Sequence, residues 1–99
     1  MEIFTSIYTI NKSIINFAAK RGIELEVDKE CECVRFWDAR EESEWMFSYG
    51  IAGRDGSLVW GGNIYLDQAV KEELPAHIMT AAKLKEVIDF VSREVIAKA

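Results

Sequence analysis

Proline is nearly missing from this chain, with Pro75 alone among 99 residues, and histidine is as scarce, with His77 alone. So little proline beside an apolar content of 49% excludes the disordered and proline-rich classes and points to a globular domain. One histidine rules out an imidazole cluster for a metal, and any Ser-His-Asp arrangement would depend on His77. Long apolar runs are also wanting. None approaches the roughly 20 residues that cross a bilayer, and Met1 is not followed by a basic stretch and an apolar signal segment. The expectation is a cytoplasmic protein that meets no membrane. Cations are in deficit, because 12 Lys and Arg face 17 Asp and Glu, for a net charge of −5. That balance disfavours direct nucleic-acid binding, whose affinity comes largely from phosphate neutralisation.

The 2 cysteines, Cys31 and Cys33, are separated by a single residue. On an extended strand such side chains share a face but sit too far apart for an easy disulfide. Reduced, packed thiols are therefore expected. Two thiolates fall short of a closed zinc site unless two chains share the metal. No metal and no cofactor is expected.

What is present is strand pattern. Trp45, Phe47, Tyr49 and Ile51 alternate, and beyond Gly53-Arg54-Asp55-Gly56 so do Leu58, Trp60, Gly62, Ile64 and Leu66. Alternation places each set on one face of a strand, with Met46, Val59 and Tyr65 on the other. Asp55-Gly56 between the two runs is a hairpin signal, since glycine accepts the positive φ of tight turns. Gly50, Gly53 and Gly56, with Gly61-Gly62 after them, suit the turn, bulges or close packing against Trp60, because no helix pattern follows to make a phosphate loop.

Upstream, Ile3, Ile7, Ile10, Ile14 and Phe17 step as one helical stripe, with Thr5 or Ser6 as a cap and Gly22 as the stop. The same isoleucines would also suit a strand at the extreme N-terminus. Ile23, Leu25 and Val27 alternate with acids as a half-buried strand, and Cys31 to Trp37 forms the next. Within it, Val34-Arg35-Phe36-Trp37 breaks the alternation, so a bulge or two covered faces is expected. After a polar stretch ended by Pro75, Ile78, Ala81, Ala82, Leu84, Val87, Ile88, Val91 and Val95 make a long amphipathic helix. Lys85 with Asp89, and Asp89 with Arg93, are spaced as pairs on its polar side. His77 falls near its start, as a surface or capping residue.

The architecture expected is α+β and a single domain over 1–99: a four-stranded antiparallel β-meander with an N-terminal and a C-terminal helix packed on one face. The strands should lie near 23–28, 31–37, 44–52 and 57–66, and the helices near 4–21 and 79–97.

For function, one constellation rises above background. Glu24, Glu26, Asp28, Glu30 and Glu32 occupy every second position, with Glu41, Glu42 and Glu44 further along. Such a ridge is a regularly spaced negative surface that can steer toward a basic partner, although a solvated face is the plainer account of it. The leading expectation is a non-catalytic acidic protein-binding module, an inhibitor or adaptor of a larger, basic, nucleic-acid-handling protein. The small anti-defence inhibitors that viruses make are an analogy of class only. The alternatives are a self-associating structural subunit, working as a homodimer, and a small enzyme using Cys31 or Cys33 with His77.

Overall fold

The computed structural model describes residues 2–41, 43–52, 56–64 and 66–98. Glu42 and Tyr65, for which a surface role was expected, and Asp55 of the expected turn lie outside these residues. The fold is α+β. Five strands form one antiparallel sheet in sequential order: β3 (Ile23–Asp28), β4 (Cys33–Asp38), β5 (Phe47–Ala52), β6 (Ser57–Asn63) and β7 (His77–Ile78). A separate hairpin of β1 (Phe4–Ser6) and β2 (Thr9–Ile10) precedes α1 (Lys12–Ala19). A short α2 (Gln68–Glu73) bridges β6 and β7, and α3 (Ala81–Val91) continues as a wider turn over Ser92–Ile96.

The sheet has an inner face and an open one, and alternation decides which residue goes where. Ile23, Val34, Phe36, Phe47, Tyr49, Leu58 and Ile78 point inward and are buried. Ile14 and Ala18 of α1 meet them there, with Ala81, Leu84, Val87, Ile88 and Val91 of α3. Both helices therefore lie on the inner face, as each apolar stripe requires. The core's centre is aromatic. Phe36 stacks on Phe47 at 4.5 Å between centroids, and Trp60 meets Tyr49 edge-on at 5.3 Å. The Tyr49 hydroxyl reaches the Pro75 carbonyl at 2.6 Å, which ties the end of α2 to the sheet.

Several expectations are corrected. The N-terminal helix is shorter, because Phe4 to Ile10 form the hairpin. Tyr8 at its turn has φ of +63°, and Ile7 beside it is 81% exposed instead of joining a helical stripe. Asn11, not Thr5 or Ser6, caps α1 by accepting from the Ser13 N–H. The meander has a fifth strand, β7, and His77 belongs to it, not to a helix start. Trp45 precedes β5, and Met46 is fully buried, contrary to the expected outward position. The cause is a local kink: the Met46 N–H donates to the Phe36 carbonyl while Phe47 is also paired with Phe36, so both side chains turn inward. A second irregularity lies in β6, where Ser48 pairs with Gly62 and Tyr49 with Trp60, leaving Gly61 as the extra residue. Beyond it the alternation changes sense, and Ile64 is 45% exposed. Strand β4, by contrast, keeps a regular register with β3 and has no bulge.

Other signals were sound. Gly22 and Gly56 adopt φ of +79° and +72°, the stop and the turn that glycine makes easy. Thr80, which the sequence reading did not name as a cap, caps α3 by accepting from the Lys83 N–H. The expected pairing along α3 is corrected: Asp89 pairs with Arg21 in the turn after α1, the Lys85 ammonium sits over the Phe17 ring, and the Arg93 guanidinium over that of Phe90.

Candidate functional site

Every second residue of β3 points away from the helices, so Glu24, Glu26 and Asp28 line the open face of an edge strand. The register puts Trp37 opposite Glu24, Arg35 opposite Glu26 and Cys33 opposite Asp28. These cross-strand neighbours decide what the acids can do. Arg35 bonds Asp28 through Nη1 at 2.7 Å and lies 3.6 Å from Glu26. The Trp37 indole N–H donates to Glu26 at 3.1 Å. The Trp45 ring flanks the Arg35 guanidinium at 5.6 Å, which places Trp45 over the open face and not with Phe47 in the core. The Cys31 N–H, then Arg35, hold the Asp28 carboxyl below the usual carboxylate range by hydrogen bonding to its charged form.

The remaining acids do not join that line. Glu30 is exposed in the turn between β3 and β4. Glu32, in the same turn, has φ of +53° and accepts from the Tyr8 hydroxyl at 2.9 Å. That bond raises the Tyr8 phenol's pKa. Glu41 and Glu44 lie in the connection between β4 and β5, at the opposite end of the sheet, where Glu41 accepts from the Ser43 N–H. The structure thus brings three of the sequence-selected acids together on one face and sends four to its two ends.

Across the open face, Gly50 and Ser48 of β5 and Gly62 of β6 form a low floor beside the tryptophans. Cys33, Gly50, Val59 and His77 are successive cross-strand partners, so Cys33 and His77 stand three strand spacings apart, about 14 Å. A thiolate–imidazole pair needs hydrogen-bond reach, and these two residues do not have it. Among the described residues no group of three or more His, Cys, Asp or Glu side chains is placed to hold a metal ion.

A second concavity, of about 790 Å³, lies at the end of the sheet where the hairpin β1–β2 meets the start of α3. Ile7 and the 69%-exposed Met79 form its lips, with Ile51, Tyr8, Glu2 and Glu32 around it. Sequence reasoning missed this cleft, because it is assembled from four separated segments. It also missed Trp37 and Trp45 as surface residues, although their amphipathic rings suit a half-exposed position. Comparison with known protein families, with characterised proteins and with solved structures gives no match. No helix among the described residues is long and apolar enough to cross a membrane.

Proposed function

We propose that this chain is a non-catalytic protein-binding module that acts as an inhibitor or adaptor of a larger protein with a basic, nucleic-acid-handling surface. The observation that carries this reading is the helix-free sheet face, where Glu24 and Glu26 stand beside the half-buried indoles of Trp37 and Trp45. Tryptophan is a frequent energetic anchor of protein interfaces, and carboxylates around it steer and orient a basic partner. Lys and Arg on the partner would meet Glu24 first, since Glu26 and Asp28 already share Arg35. The same acids discourage pairing of the β3 edge with a second copy of this chain, because like charges would face each other.

The test is affinity capture from an extract of the native host, using the wild type and the variant carrying Glu24→Gln with Glu26→Gln. Glutamine keeps an acceptor for the Trp37 N–H, so the fold should be unaffected. A basic partner should associate with the variant roughly tenfold more slowly at low salt, and its affinity for the wild type should fall as salt rises. Capture of the same partner by both forms, with the same salt dependence, would remove the reading.

A further inference from the structure

The turn between β3 and β4 alters what its two cysteines can do. Cys31 is not in a strand: β4 begins at Cys33, and Glu32 between the two thiols has φ of +53°. A residue in that region folds its neighbours together as one step of a left-handed helix does. On helix dimensions the flanking Cα atoms come to about 5.4 Å, against about 6.6 Å for two steps of a strand. The strand span sits at the upper edge of the range that disulfides bridge, usually 4.4–6.8 Å, whereas the shorter one lies close to its commonest values. The objection that alternation raises against a bond between these thiols does not survive the turn.

The surroundings also differ for the two sulfurs. Cys31 is exposed, and its backbone N–H is held by Asp28 Oδ1 at 3.2 Å. Its Sγ accepts from Arg35 Nη2 at 3.7 Å, so the sulfur is fixed beside a cation. Cys33 is half-buried, and burial, then its contact with the Cys31 thiol, pushes its pKa up against the opposing pull of Arg35. The charged groups facing the pair are Arg35 and Asp28, with Glu26 behind Arg35.

We propose that Cys31-Glu32-Cys33 is a site of reversible thiol oxidation by low-molecular-weight disulfides, with Cys31 as the attacking thiol and Cys33 as the resolving one. In the first step the Cys31 thiolate attacks one sulfur of the small disulfide. A Cys31 mixed disulfide forms, and one small thiolate leaves and takes up a proton. In the second step Cys33, having lost its proton, attacks the Cys31 sulfur and expels the second small thiol. The protein is oxidised by two electrons to an internal disulfide, and the small disulfide is reduced to two thiols. The exposed sulfur beside Arg35 is placed for the first attack, and the left-handed Glu32 backbone is placed for ring closure.

The folded protein is incubated with oxidised glutathione, free thiols are trapped by alkylation, and the products are mapped by peptide mass. The wild type should yield the Cys31–Cys33 disulfide as its end product. Cys33→Ser should stop at a mixed disulfide on Cys31, and Cys31→Ser should form one on Cys33 about tenfold more slowly. Glu32→Val, whose branched side chain disfavours positive φ, should leave the first step unchanged and slow ring closure severalfold. Thermal unfolding of each variant confirms that it is folded before its thiols are compared. Two stable mixed disulfides on one wild-type chain, equal rates at the two sulfurs, a disulfide between chains as the main product, or thiols that stay free while the denatured chain reacts would each overturn the proposal.

Discussion

Gly61 and Gly62 are adjacent, and the structure separates their roles sharply enough to test the fold with one methyl group. A Cβ on Gly61 would lie 2.7 Å from Ser48 Oγ, 2.9 Å from the Ser48 carbonyl oxygen and 3.3 Å from its carbon. The hydroxyl can rotate aside, but the carbonyl belongs to β5, whose ladder with β6 pairs Ser48 with Gly62. Relief requires the bulge to open, so Gly61→Ala should cost about 1–3 kcal/mol, the range for forcing extra volume into a packed site. For a chain of this size that is a drop in Tm of roughly 5–20 °C. A Cβ on Gly62 meets nothing within 4 Å. Its φ is outside the left-handed region, so Gly62→Ala should be neutral or stabilise by up to about 1 kcal/mol through the unfolded chain. Urea unfolding with an unchanged slope measures both. Adding Ser48→Ala to Gly61→Ala should recover only part of the loss, because the carbonyl contact remains. If Gly61→Ala lies within about 0.5 kcal/mol of the wild type, or Gly62→Ala is the worse of the two, the bulge is misplaced.

Phe47→Ala should cost about 3–5 kcal/mol, because Phe47 is fully buried and stacked on Phe36, while Trp45→Ala should cost under about 1.5 kcal/mol. Equal losses in thermal unfolding would contradict the assignment of their faces. Tyr49→Phe should cost about 1–2 kcal/mol, since it leaves the Pro75 carbonyl without the hydroxyl that reaches it at 2.6 Å. Burial raises the Tyr49 pKa, so the unfolded chain ionises first: stability is full below about pH 10 and falls as pH rises beyond it, a slope that Tyr49→Phe should reduce. At the acid end Asp38 is held low by hydrogen bonds from Arg40, so its contribution is present above about pH 4 and is lost as pH falls further. Asp38→Asn should flatten that limb in a pH series of denaturant midpoints.

Most of the sheet was legible because its strands alternate over six or seven residues, long enough for period two to stand out from chance. The errors fall where a short feature changes the sense of the pattern. Ile3, Ile10 and Ile14 are buried, as a helical stripe would have them, but a hairpin delivers the first two. Isoleucines at such spacings cannot distinguish those routes. Strand β7 is two residues long and shows no period; it exists because Leu58 and Val59 offer Ile78 and His77 a ladder. The inward turn of Met46 follows from the kink just before β5 and the outward turn of Ile64 from the bulge in β6, and the glycines as a group were the sequence's only hint of either.

The acidic site was half legible for a related reason. Alternation showed that Glu24, Glu26 and Asp28 share a face, but only the register shows what stands opposite them. Arg35 falls between Glu26 and Asp28, and its guanidinium also touches the Cys31 sulfur and the Trp45 ring. One cation thus knits the edge strand, the turn and the segment before β5 into one surface. Three carboxylates with one guanidinium leave a weaker field than the bare run of acids suggests, and Glu24 is the one of the three that Arg35 does not pair with. Trp37 stands directly across the ladder from that carboxylate. A partner drawn by charge would therefore arrive beside an indole already held in place through its N–H bond to Glu26. For the partner proposed above, that arrangement would join electrostatic capture and an apolar anchor within one pair of neighbouring strands.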